Sequence, residues 1–353
     1  VQSEALADGT PVALWRNRGR KSYAHGEGGL PIGSGGTYRE GIGLEFGEGG
    51  GWGWGRLKGA EADFGEHRLT LRFRVSDAAA EGRRLVSFGG AAPYRIETVA
   101  GGLDVRFSDD PTVHVPLAFI PGAWYVLTFG IEGNEGWVEV GPEYAVPHRH
   151  VFTLSAPLAR ARGSISVGSD PNGGASPGTM WVSHLVIASG EGSLETASED
   201  AAVFVREVAP APAPIAPVGT AASPVCFSWA SSGAPRYVVQ AMGPSGETVG
   251  VFQSEAAERC LGPLESLAVG DYTWSVVALH EAGASGVSEP LAFAVGEAVP
   301  IVTEREISGP AGWRVVAVPS AGMTVADLAQ RSLVAGVAGY YEDVEEPTLF
   351  TRF

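Results

Sequence analysis

The chain has 353 residues, 24 Lys and Arg against 40 Asp and Glu, and a formal net charge of −16 at pH 7. That acidity excludes a nucleic-acid partner, because phosphate binding needs a basic surface, and it favours solubility with some attraction for divalent cations. An apolar content of 44% is too high for disorder, and no apolar run reaches the roughly 20 residues of a membrane span, which excludes membrane insertion.

With 50 Gly and 24 Pro, the composition suits an all-β protein with many turns. The length predicts about two to three domains. The chain starts at Val1 without a Met or a charged-then-apolar leader, which reads as a processed N-terminus after signal-peptide removal. The two cysteines, Cys226 and Cys260, lie 34 residues apart, unlike a zinc pair. One disulfide in an oxidising, extracellular compartment is the preferred reading over two buried thiols.

In chain order, short apolar runs at 12–15 and 42–46 flank a glycine-rich tract at 49–55. Residues 67–75, HRLTLRFRV, alternate: Leu69, Leu71, Phe73 and Val75 point inward, Arg68, Thr70, Arg72 and Arg74 outward, as in a half-exposed strand. Runs at 84–88, 94–99 and 103–107 follow. Residues 124–140, WYVLTFGIEGNEGWVEV, then predict a hairpin closed by a loop of about five residues, 132–136. Further strands are expected at 151–154, 164–167 and 180–188, and one helix at 195–206 capped by Ser198. Regularly spaced strands with turn signals between them indicate a sandwich.

This order of features resembles the concanavalin A-like lectin/glucanase fold of the laminin G-like kind. The resembling pieces are 9–16 (GTPVALWR), 43–47 (GLEFG), the hairpin within 122–140, 166–168 (SVG), 180–188 (MWVSHLVIA) and the helix at 194–205. The resemblance covers about residues 5–207 and implies a jelly-roll β-sandwich over 1–208. Residues 209–217, APAPAPIAP, read as a semi-rigid polyproline spacer. Beyond it, 267–274 (LAVGDYTW) is similar to fibronectin type III modules, implying an Ig-like sandwich over 218–297 with Trp229 in its core. Within 298–353, 312–319 (GWRVVAVP) and 324–329 (TVADLA) resemble a C-terminal repeat of secreted bacterial surface proteins. That segment looks incomplete, so a neighbouring copy could complete it by strand addition and propagate a filament.

Several residue sets carry candidate chemistry. Glu61, Asp63 and Glu66 match the ExDxxE arrangement of some glucanases of this fold, where two carboxylates stand about 5–5.5 Å apart. The favoured alternative is an acidic solvated loop. Trp52, Trp54 and Tyr94 could stack on sugar rings, or pack under a loop. Asp109, Asp110, Asp170 and Asn172 could ligate calcium, although Asp and Asn are ordinary turn residues. His148 and His150 share a strand face but lack a third metal ligand nearby in sequence. No nucleophile–base pair stands out in the sequence, so no enzyme is expected. The sequence thus predicts a secreted structural or adhesive protein, a homo-oligomer or filament subunit. A glycan-binding module is the alternative, and a glycoside hydrolase the third reading.

Overall fold

The computed structural model describes residues 6–12, 14–16, 29–31, 36–47, 53–56, 67–76, 81–88, 94–108, 110–157, 164–168, 177–189, 209–262, 265–296, 313–317, 337–342 and 347–352. The helix expected at 195–206 lies outside them. Every named element is a strand.

The first unit opens with β1 (Leu14–Arg16), β2 (Gly29–Pro31), β3 (Gly36–Arg39), β4 (Gly43–Phe46) and β5 (Gly53–Arg56). Then come β6 (His67–Val75), β7 (Arg84–Phe88), β8 (Tyr94–Val99), β9 (Gly102–Phe107) and β10 (Val113–Pro116). It ends with β11 (Trp124–Glu132), β12 (Glu135–Pro142), β13 (His148–Thr153), β14 (Ser164–Val167) and β15 (Met180–Ser189). A seven-stranded sheet runs β13-β12-β11-β6-β15-β4-β3 and a six-stranded sheet runs β10-β9-β8-β7-β14-β5. Two sheets facing each other across one apolar layer make a jelly-roll β-sandwich.

Alternation builds that layer. Leu69, Leu71 and Phe73 of β6 are fully buried, in register with Phe129, Leu127 and Tyr125 of β11. Phe129 stacks across the interior on Tyr94 of β8, ring centroids 4.5 Å apart, and Phe107 of β9 meets Phe152 of β13 at 5.5 Å. The central hairpin is tighter than the sequence predicts. Glu132 pairs with Glu135, leaving the two-residue loop Gly133–Asn134, with Gly133 in the left-handed region (φ +59°). A short loop of this kind matches the twist of its strands, so pairing continues to the turn.

The second unit contains β16 (Pro214–Ala216), β17 (Gly219–Ala221), β18 (Cys226–Trp229), β19 (Arg236–Met242) and β20 (Thr248–Ser254). It continues with β21 (Glu258–Cys260), β22 (Gly270–His280), β23 (Gly283–Ala284) and β24 (Leu291–Val295). One sheet is β16-β18-β21; the other is β17-β24-β22-β19-β20, with β23 folded back on β22. Phe227, Trp229, Tyr237, Trp274 and Phe293 fill the space between them. Cys226 and Cys260 are register partners on β18 and β21 and are joined as a disulfide. The alanine–proline stretch is only partly a spacer, because Pro214–Ala216 pairs with β18 and the Ala213 carbonyl accepts the Ala230 N–H. Proline tolerates such an edge position because its missing N–H would face solvent.

The two sandwiches share apolar packing. Val238, Val277, Leu279 and Ala284 of the second belong to the same continuous cluster as the core of the first. Leu117, Phe119, Ile120 and Tyr144 pack against that cluster, and Arg236 Nη1 donates to the Pro121 carbonyl at 2.7 Å. At the C-terminus, β25 (Trp313–Ala317), β26 (Val337–Glu342) and β27 (Pro347–Arg352) form an antiparallel sheet in the order β25-β27-β26.

Candidate functional site

The outer face of the seven-stranded sheet departs most from expectation. The outward residues of β6 are not half-exposed: Arg68, Thr70, Arg72 and Arg74 are all buried, at 3%, 0%, 4% and 9%. Guanidinium groups go into a protein interior only when something offsets their lost hydration. For Arg72 and Arg74, tryptophan faces and the second sandwich supply much of that offset.

Sheet register sets out the site in rows. Glu45 of β4 pairs with Trp181 of β15, Trp181 pairs with Arg74, and Arg74 pairs with Trp124 of β11. Arg74 lies over the Trp181 ring at 4.2 Å and the Trp124 ring at 5.4 Å, and Arg72 lies over Trp124 at 4.1 Å. A buried cation against an indole face gains about 2 kcal/mol or more. Farther along, Arg149 of β13 covers Trp137 at 4.7 Å.

Arg72 is the most fully partnered. Its Nε donates to Glu143 Oε2 at 2.9 Å, its Nη1 to Ser183 Oγ at 3.0 Å, and its Nη2 to the Ala282 carbonyl at 2.9 Å. A β-bulge between Val182 and His184 inserts Ser183. Gly43 permits that bulge: at φ +127°, a Cβ there would come within 2.8 Å of Ser183 Cα. The Ala284 N–H donates to Glu143 Oε1 at 2.7 Å, so the carboxylate bridges both sandwiches. Burial raises the Glu143 pKa despite the Arg72 charge and the Ala284 N–H.

At the open end of the row, Arg39 Nε and Nη2 form a fork on Glu45 at 2.9 and 3.0 Å, and Trp181 Nε1 donates to Glu45 Oε2 at 2.9 Å. The Arg39 hydrogen bond holds the Glu45 carboxyl below its ordinary value. Arg39 and Glu45 side chains are 36% and 21% exposed, and Trp181 is half-buried. Beside them, the Glu281 carbonyl of the second sandwich accepts both Trp124 Nε1 at 2.9 Å and Arg74 Nη1 at 3.1 Å. The row is therefore a partly open strip of indole, guanidinium and carboxylate where two sandwiches meet.

The residues singled out from sequence do not gather here. Tyr94 is a core residue, 2% exposed, stacked on Phe88 and Phe129 with its hydroxyl 2.7 Å from His67 Nε2. Trp54 falls in the register row of Ser166, Ser87 and Arg95, whereas Tyr94 falls in the next row, with Phe88, Ile165 and Gly55. Adjacent rows belong to opposite faces of a sheet. Asp110 Oδ1 accepts the Ser155 N–H at 2.7 Å, a turn-fixing bond. Trp52, Glu61, Asp63, Glu66, Asp109, Asp170 and Asn172 lie outside the described residues. Among the described residues, no group of three or more His, Cys, Asp or Glu is placed to hold a metal. The missed residues, Arg39, Glu45, Arg72, Arg74, Trp124, Glu143 and Trp181, carried one signal: arginines alternating through an apolar strand, with tryptophans in neighbouring strands.

The sequence matches no family model and no curated protein. Among solved structures, the chain is similar to the binding domain of botulinum neurotoxin serotype D, at 9% identity and TM-score 0.43 over 77% of this chain and 73% of that one. The ligand-binding domain of serotype D in complex with N-acetylneuraminic acid gives 10% identity and TM-score 0.41, over 76% and 70%. The alginate lyase from Klebsiella pneumoniae gives 10% and 0.33, over 44% and 84%. With TM-scores below 0.5 and about a tenth of residues identical, the likeness assigns this chain no role.

Proposed function

We propose that this chain is an extracellular, non-catalytic glycan-binding protein whose site is the row Arg39–Glu45–Trp181–Arg74. The observation that carries this reading is the half-buried Trp181 indole hydrogen-bonded to Glu45 of a forked Arg39–Glu45 pair. An aromatic ring suits the C–H face of a pyranose, and a fixed fork of donors and acceptors suits its hydroxyl groups. Sites of this composition favour domain junctions. Glu45 and Glu143 are each tied to an arginine, Arg39 and Arg72, which suits holding a ligand better than transferring protons. The disulfide supports an oxidising, extracellular setting.

The test is a glycan array on the intact chain, followed by calorimetry on each hit. Trp181→Ala is expected to weaken binding about tenfold, the ~1.4 kcal/mol of an ordinary ring stack, with an unchanged circular-dichroism spectrum. An empty array, or a hit bound equally well by Trp181→Ala, refutes the reading. A structural role through strand exchange of 298–353 predicts a different outcome in the same preparation: polymers in sedimentation that vanish when 298–353 is deleted.

A further inference from the structure

Arg39, Arg72 and Arg74 of this strip differ in one respect. Arg39 is paired with Glu45, and Arg72 with Glu143 at 2.8 Å. Arg74 has no carboxylate within ion-pair distance among the described residues, and its buried Nε–H finds no acceptor among them. Yet Arg74 is only 9% exposed, between the Trp181 and Trp124 rings, with Nη1 held by the Glu281 carbonyl. Burial lowers its pKa, and Glu281 and Glu45 act on it only through space. A buried guanidinium without a counter-charge is costly, and a site that keeps one is prepared for an anion.

We propose that Arg74 is the charge-selecting residue of the site, and that the preferred ligand is a sugar bearing a carboxylate, of the uronic acid type. This rests on the glycan-binding reading and narrows it. The Trp181 and Trp124 rings flank the guanidinium, Nη1 is held by the Glu281 carbonyl and Nε is buried, so the Nη2 donors are the ones left to meet a carboxylate. The second sandwich takes part, because the Glu281 carbonyl fixes both Trp124 and Arg74. Glu143 and Arg72 hold the turn carrying that carbonyl, through Ala284 N–H and the Ala282 carbonyl. They are positioning residues.

The experiment is calorimetry on the intact chain with oligogalacturonate, its fully methyl-esterified form and a sulfated galactan oligosaccharide, at low and high salt. We expect oligogalacturonate to bind about tenfold or more tightly than its ester, as a charge-assisted hydrogen bond implies, and to lose that margin in high salt. Arg74→Gln is expected to bind acid and ester alike, the acid-to-ester affinity ratio falling to about one whatever its absolute affinity; Arg74→Lys should recover only part of the margin. Equal wild-type binding of acid and ester overturns the charge selection while leaving the glycan reading intact. Binding of none of the three overturns the uronic-acid assignment, and the glycan array then decides the glycan reading by itself. Preference for the sulfated sugar overturns the carboxylate assignment and keeps Arg74 as an anion reader. Should Arg74→Gln not fold, the wild-type salt dependence decides alone: a flat response for oligogalacturonate refutes the proposal.

Discussion

Glu143 joins the two sandwiches through a buried ion pair, and such pairs are costly to halve. Its desolvated carboxyl has a raised pKa, so between the ordinary value of 4.5 and the folded value the native state holds a proton that the unfolded chain has released. This group's contribution to stability therefore increases as pH falls through that window, and its penalty is fully present above the folded pKa. Arg72→Gln removes the one charge paired with it and leaves the carboxylate uncompensated. We expect a loss of roughly 3–5 kcal/mol in urea denaturation at neutral pH, smaller in acid, with the Glu143 titration moving further up. A pH-independent loss below about 1 kcal/mol would show that the pair is solvated in solution.

Strands explain why the site is where it is. β6 lies between β11 and β15, so its inner face makes the core and its outer face receives indoles from both neighbours. In the second sandwich the strand-to-strand disulfide closes a loop of 34 residues. By the chain-entropy account such a closure is worth roughly 4 kcal/mol. Reduction, or Cys226→Ala with Cys260→Ala, should lower the denaturation midpoint of the second sandwich accordingly. An unchanged midpoint would mean that the β18–β21 pairing needs no covalent tie.

Packing and hydrogen bonds join the sandwiches into one body. Val277 and Leu279 from β22, Val238 from β19 and Ala284 from β23 continue the apolar cluster of the first unit, and five hydrogen bonds cross beside them: Arg236 to Pro121, Arg72 to Ala282, Arg74 and Trp124 to Glu281, and Ala284 to Glu143. We expect one rigid envelope for the pair in small-angle scattering of the intact chain. Leu279→Asp, which buries an unpaired charge there, should extend the envelope and separate the unfolding of the two units. An envelope indifferent to Leu279→Asp would mean independent modules.

Local chemistry alone determined the all-β character, the inward residues of β6 and β11, the central hairpin and the cysteine pair. Each follows from a period of two, from glycine and proline at turns, or from a residue count. Alternation separates two faces of a strand and says nothing about what covers either one. Tyr94 therefore looked as available as a surface aromatic until the opposing sheet closed over it, and Arg72 and Arg74 looked solvated until the second sandwich met them. The same blindness hid the pairing of Arg72 with Glu143, 71 residues apart, and of Arg74 with the Glu281 carbonyl, 207 residues apart. Those meetings depend on how strands are ordered in a sheet and how sheets dock, which only the packed tertiary structure decides.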